Sequence, residues 1–429
     1  MISYRKLAMR VLGHSPVSAV KTARRSTGKR AAALALTAAL VVGMTLPAFA
    51  QDWYIDAGDI SISAGENGNN VTQGSTTKEN DTDTVIKGNG SSTASSNTVT
   101  IDADEGKTVN VTLDNVTINV DEGYKYGYDS NAYKTAVSVT GSGNTNIELN
   151  GNNTLTSGSG HAGLEHNKTD DSGTLTITDN NNDGKLTAKA TGDYGAGIGG
   201  GNGYNGQVTI TGGEITATGG LWGAGIGGGF GAIPKDTLIG GNGTVTISGG
   251  TIDCNTYDDA INSSSHMYIK GGTITVYSSG NDGLDSNSNL YFSGGTTVAY
   301  GTRSPECGID ANEEEGYTVF FTGGNVLGIG GGNNSHPTTQ ESTQGYVTYS
   351  GNVTAGSTLT VSKDGTVLAT FTLPYDYSRG NIILTTEGMT AGEQYPVSDG
   401  SSTQTLSAVQ YGNGGSGGGG GPGGRGGPG

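Results

Sequence analysis

The residues with the most chemical content recur at intervals in the second half of the chain. Asp258 and Asp259 lie in "YDDAIN". Asn281, Asp282 and Asp285 follow in "NDGLDSN", and Asp310 in "GIDAN". Few Lys or Arg residues lie nearby. Like charges held close together repel, so such a group calls for solvent, protonation or a cation. A donor set of carboxylates and amides suits Ca²⁺, which takes about six to eight oxygen ligands. Zinc would draw on His or Cys, and His266 is displaced from these positions. The alternative is that each Asp closes an Asx turn at a solvated corner.

Whether the acids meet depends on the elements that carry them. Five segments share an apolar-x-apolar-x-Gly-Gly-x-x-x-apolar pattern: "VTITGGEITA", "VTISGGTIDC", "MYIKGGTITV", "LYFSGGTTVA" and "VFFTGGNVLG". Their Gly-Gly pairs begin at 212, 249, 271, 294 and 323, and a short Gly/Ala/Asp turn followed by Ile or Leu precedes each one. Alternating apolar residues mark strands with one buried face, and Gly-Gly supplies a corner with φ > 0. Three short strands per repeat, at spacings of 37, 22, 23 and 29 residues, predict an all-β right-handed parallel β-helix. Propeller blades would need longer, four-stranded units.

Coils stacked about 4.8 Å apart turn equivalent residues into columns. One column reads Glu165, Gly199, Gly227, Asn262, Asp285, Asp310. Its neighbour reads Ala196, Ala224, Asp259, Asp282, Cys307. The acids therefore converge on one patch across three coils. Cys254 and Cys307 fall two coils apart, too far for an unstrained disulfide, and are expected as free thiols. Two aromatic columns are expected on the outer surface: Tyr268, Tyr291 and Phe320, and then Tyr277 and Tyr300. Exposed rings in a ladder can stack on sugar faces, or can simply stabilise the sheet surface.

The chain has 429 residues, 79 of them Gly, and only 32% hydrophobic content, which fits a solenoid with a thin core better than one large globular core. Residues 1–50 hold eight of the 22 basic residues and no acid. They end in the apolar run "AAALALTAALVVGMTL" and the small-residue site "AFA", the pattern of a secretory signal peptide, with an N-terminal anchor helix as the alternative. The remaining 14 basic residues face 39 acidic ones, a formal charge of −25. A surface of that sign repels nucleic acid and anionic lipid and suits cations. The helix is expected over 51–341, with its first coils loosely defined. A small β-domain or cap of antiparallel strands is expected over 342–411, including a hairpin turn at Lys363-Asp364-Gly365, and a disordered Gly-rich tail over 412–429.

The "NDGLD" turn, with an Asp one coil upstream, resembles the calcium site of the pectate-lyase-like parallel β-helices, most closely the group that uses a Lys base. The coils "DDAIN…GGTITV…DGLDSN…GGTTVAY" and the strands "AGSTLTVSKDGTVLATFTLP" are similar to a secreted bacterial carbohydrate-binding β-helix family. The resemblance covers about residues 250–400. It implies Asp258 or Asp259, Asn281, Asp282 and Asp285 as Ca²⁺ ligands and polysaccharides of pectin or cellulose type as partners. Lyase chemistry also needs a base to remove the proton beside a uronate carboxylate. After Asp285 the next basic residues are Arg303 and Lys363, so Arg303 is the one candidate. The reading is of a non-catalytic, secreted, calcium-dependent polysaccharide-binding protein. A lyase with Arg303 as base, and a structural surface protein or adhesin attached non-covalently to the cell, are the alternatives.

Overall fold

The computed structural model describes residues 51–88, 90, 93–123, 133–168, 172–231 and 243–412. The expected signal peptide (1–50) and all of the Gly-rich tail except Gly412 lie outside the described residues. What is described is all-β and built mainly of parallel ladders, as the repeat pattern predicts.

Each coil contributes a strand to three ladders. The first runs through Val208–Ile210, Val245–Ile247 and Met267–Ile269 into the first half of Leu290–Tyr300. Its parallel register puts Val208 beside Val245, Met267, Leu290 and Val319. A Gly-Gly corner then turns the chain into the second ladder, Glu214–Thr218, Thr251–Thr256 and Thr273–Ser278. The second Gly of each pair has φ between +79° and +92°, which is why Gly stands there in all five repeats. The third ladder pairs Ile198, Ile226, Ile261, Leu284 and Ile309 in one column. All five are fully buried. Each contributes about 1.5–3 kcal/mol of apolar burial, so a narrow aliphatic stack suffices to order a chain this rich in Gly.

The ladders reach back toward the start of the described chain. Asp52–Tyr54 pairs in parallel with Val85–Lys87, and Ile60–Ala64 with Val99–Ala103. After Ile60–Ala64 the strands Asn69–Gln73 and Thr76–Asp81 fold back as an antiparallel meander. Beyond residue 341 the strands turn antiparallel. Tyr346–Val353 and Tyr377–Thr385 pair with each other, and the latter also extends the ladder at Val326–Gly330. A separate four-stranded sheet holds Thr358–Lys363, Thr366–Thr372, Gln394–Ser398 and Thr403–Ser407. Its first hairpin turns at Asp364 (φ +49°) and Gly365 (φ +78°), the two positive dihedrals that a two-residue hairpin loop requires.

Candidate cation site and an adjoining aromatic cavity

The acids sit on the turn between the second and third ladders and on the third ladder itself. Asn262, Asp285 and Asp310 are register partners in consecutive coils. Asp259 and Asp282 precede them in the turns. Both are nearly inaccessible, 6% and 7% exposed. That separates them from acids in solvated corners. One oxygen of each also takes a hydrogen bond from the next coil. Asp259 Oδ1 accepts from the Asp282 amide at 3.1 Å, and Asp282 Oδ1 from the Cys307 amide at 2.5 Å. Asp310 Oδ1 accepts from Ser335 Oγ at 3.0 Å.

Amides tie the remaining oxygens together. Asn262 Nδ2 donates to Asp285 Oδ2 at 2.8 Å and to Asp259 Oδ2 at 3.2 Å. Asn281 Nδ2 donates to Asp258 Oδ1 at 2.9 Å. The groups acting on these carboxyls are other acids, amides, a hydroxyl and backbone, with no Lys or Arg among them. Burial is the largest influence on each, and mutual repulsion reinforces it on all but Asp258. It pushes Asp282 up to about 9, Asp285 to about 7 and Asp310 to about 6, and holds Asp258 and Asp259 above the usual carboxylate range. Glu306 joins the group through a side-chain hydrogen bond with Asp282 and is raised by its own burial.

Buried and half-buried oxygen donors with no Lys or Arg among the main groups acting on them are the kind of donor set that Ca²⁺ takes. The ligands are not closed into a cage, since among the described residues no three His, Cys, Asp or Glu side chains form a metal-binding cluster. Asn262 lies between two of the acids. Its NH₂ group occupies the space between Asp259 and Asp285. A half-turn of that amide puts Oδ1 there instead, an arrangement that repels both carboxylates unless a cation lies between them.

Other expected positions divide. Cys254 and Cys307 are free and buried. Glu165, in the same column three coils below Asn262, is held by His161 Nδ1 at 2.9 Å and by the Ala162 amide at 3.1 Å. Arg303 is exposed and does not figure among the charges acting on the acids. Tyr268, Tyr291 and Phe320 do stack, with centroids 4.9 and 4.8 Å apart and planes within 9° and 7°. The two tyrosines are half-buried and Phe320 is buried. The second column is not the exposed ladder that alternation suggests. Tyr300 is fully buried, and Tyr375 from the antiparallel cap packs on both its rings, 4.4 Å from Tyr277 and 5.5 Å from Tyr300. The cap covers that face of the second ladder, so these rings serve the interface between cap and solenoid.

Sequence reading also missed a set of rings. A cavity of about 410 Å³ is lined by Trp222, Phe230 and Tyr257 together with Asp258, Asp259, Asn262 and Asn281. Trp222 meets Tyr257 edge-on at 5.6 Å and Phe230 at 6.4 Å. The signal was present: Tyr194, Trp222 and Tyr257 all stand four residues before the third-ladder Ile. In the next coil that position is Gly280, and a Cβ there would meet the Tyr257 ring at 2.8 Å, so the glycine makes room for the ring. Glu306 lies outside the repeat pattern, so spacing alone does not bring it to Asp282. Compared with known protein families, curated proteins and solved structures, the chain finds no match.

Proposed function

We propose that this protein is a secreted, non-catalytic β-helix that binds polysaccharide with the help of Ca²⁺. The observation that carries the reading is the set of buried and half-buried acids spread over three coils, with no Lys or Arg among the main groups acting on them. Bound there, Ca²⁺ would neutralise the cluster and bridge to uronate carboxylates of an anionic glycan. Asp259, Asp285 and Asn262 would hold the ion, with Asp282, Asp258, Asn281 and Asp310 around them. The half-buried edges of Tyr268 and Tyr291, whose faces cover one another in the stack, offer an additional apolar surface to a sugar. The resemblance to carbohydrate-binding β-helices supports a plant-type polymer, pectin-like or glucan.

A second reading has its own support. Asp259 and Asp282 accept backbone amides of the next coil, as structural rungs would, so an ion there could serve only to rigidify the solenoid. Native gels cast with polygalacturonate, run with Ca²⁺ and with chelator and stained for polymer, separate the possibilities. Calcium-dependent retardation over intact polymer is the expected result. A cleared zone would overturn the non-catalytic reading and make Arg303 the first residue to test. Chelation that lowers Tm without altering retention on any glycan would leave the structural reading.

A further inference from the structure

The cavity that Trp222 and Tyr257 line lies beside the acids but extends beyond them. Asp258 and Asp259 belong to its lining, while Asp282, Asp285 and Asp310 do not. Its volume falls in the range of small-molecule sites, about 300–1,000 Å³. Two of its rings are unusually open for their type, Trp222 at 40% and Tyr257 at 46% exposure. An aromatic face left in water beside polar groups is the recurring form of a recognition surface.

Ser264 is the independent observation. It lines the same cavity, is only 9% exposed, and its Oγ has no hydrogen-bond partner. A buried hydroxyl left unpaired costs roughly 1–3 kcal/mol. The Oγ is closed to solvent as the side chain stands, so a rotation of Ser264 toward the cavity is what would bring it to a ligand's donor or acceptor. Asn262, Asn281 and Asn287 line the same cavity, as do the carboxyls of Asp258 and Asp259. Rings for an apolar face, and amides, a hydroxyl and carboxyls for several hydroxyls, together match one molecular shape.

We propose that this cavity receives one pyranose unit of the bound saccharide, stacked on Trp222 or Tyr257, with its hydroxyls directed to Ser264, Asp258 and the asparagines. This deepens the polysaccharide reading and rests on it. It moves the principal sugar contact away from the Tyr268–Tyr291 ladder and to the coils on the other side of the acids. It also makes the acid cluster and the sugar subsite neighbours that share Asp258, Asp259 and Asn262. An organic amine is the other class that rings beside carboxyls attract, but an ammonium does not use the unpaired Ser264 hydroxyl together with three amides as a polyol does.

The chain has two tryptophans, and Trp53 is 1% exposed, so ligand-induced changes in emission report Trp222. The full chain would be titrated with trigalacturonate in Ca²⁺ and, separately, with cellotriose. The expected result is a saturable change in emission with at least one of them, lost in Trp222→Phe. In the polymer gels, Trp222→Ala and Tyr257→Ala should each weaken retention by roughly tenfold or more at unchanged Tm, and Ser264→Ala should weaken it in the same direction. Retention unchanged in both ring variants would overturn the subsite and leave the polysaccharide reading standing. An emission response to either trisaccharide without polymer retardation would support the subsite and sink the polymer reading. A response to 1,6-diaminohexane and to neither saccharide would overturn the proposal in favour of an amine site, and silence toward all three probes would overturn it outright.

Discussion

Asp282, Asp285 and Asp310 hold protons more tightly in the folded chain than a free carboxyl does, because burial and neighbouring acids penalise the charge. The folded state therefore binds more protons than the unfolded one between about pH 4 and pH 9. Stability that is complete below the unfolded pKa is lost as pH rises through 6, 7 and 9 in turn. Without divalent ions the protein should melt at a lower temperature at pH 8.5 than at pH 5, by calorimetry in chelator. A Tm that rises over this interval would contradict the assigned burial. Ca²⁺ competes with these protons, so its stabilising effect should grow across the same window, with proton release visible as a buffer-dependent binding enthalpy. Asp285→Asn isolates the effect. The substituted amide oxygen can still accept from Asn262 Nδ2, while the repulsion with Asp259 and Asp310 disappears. The chelated variant should be more stable than wild type at pH 8 by roughly 1–2 kcal/mol, and should gain little or nothing from Ca²⁺. Undiminished stabilisation by Ca²⁺ in that variant would place the ion elsewhere.

At the scale of the element, the third-ladder column explains why the acidic cluster does not continue into the coils just before Asn262. Gly199 and Gly227 stand where Asn262, Asp285 and Asp310 follow, with φ of +127° and +125°. A Cβ on Gly227 would come within 1.8 Å of the Asn262 carbonyl oxygen. Those coils have no room for a side chain, so they could not extend the acidic cluster. Gly227→Asp should accordingly cost several kcal/mol or prevent folding, whereas Asp310→Gly in the same column should cost far less. Comparable Tm losses for the two would refute this account. The same contrast marks what alternation could and could not reveal. The strand–Gly-Gly–strand repeat states the ladders openly, since a period of two and a corner glycine are local properties, and the register of Asn262, Asp285 and Asp310 follows from counting. Alternation says only that Tyr277 and Tyr300 point away from the solenoid interior. It cannot show that Tyr375, some 75 residues later in the chain, covers them. Nor does it show that Asn262 places its amide hydrogens between two carboxyls, or that Glu306 reaches Asp282, because both depend on side-chain rotations. The rings at 194, 222 and 257 are countable in the same way as the acids, but their spacing does not say that they line a cavity. Tyr300→Ala, which empties a fully buried ring position beneath the cap, should lower stability by about 3–5 kcal/mol and leave the intrinsic contacts of the cavity rings untouched.

For the whole molecule, the decisive property is that a solenoid is stabilised coil by coil. Each coil contacts mainly its neighbours, so stability is close to a sum of local terms and a ligand's effect decays along the stack. A cation held by Asp259, Asn262 and Asp285, with Asp282 and Asp310 around it, joins the coils that carry Ile261, Leu284 and Ile309. It should therefore protect those coils first and most. Hydrogen exchange followed by mass spectrometry tests this directly. On adding Ca²⁺ at pH 8, amides in 257–311 should slow by the largest factor. They include those of Asp282 and Cys307, which donate to carboxylates now fixed by the ion. Protection should fall off within one or two coils toward 195–227, and the antiparallel strands at 358–372 should be nearly unaffected. At pH 5 the difference should shrink, because the same oxygens are then largely protonated. Protection centred on Glu313–Glu315 would move the ion to that exposed acidic turn. Uniform slowing along the chain would instead mean that Ca²⁺ acts by screening a molecule whose formal charge beyond residue 50 is −25, an effect that Mg²⁺ or high NaCl would reproduce and that a site built from these three coils would not.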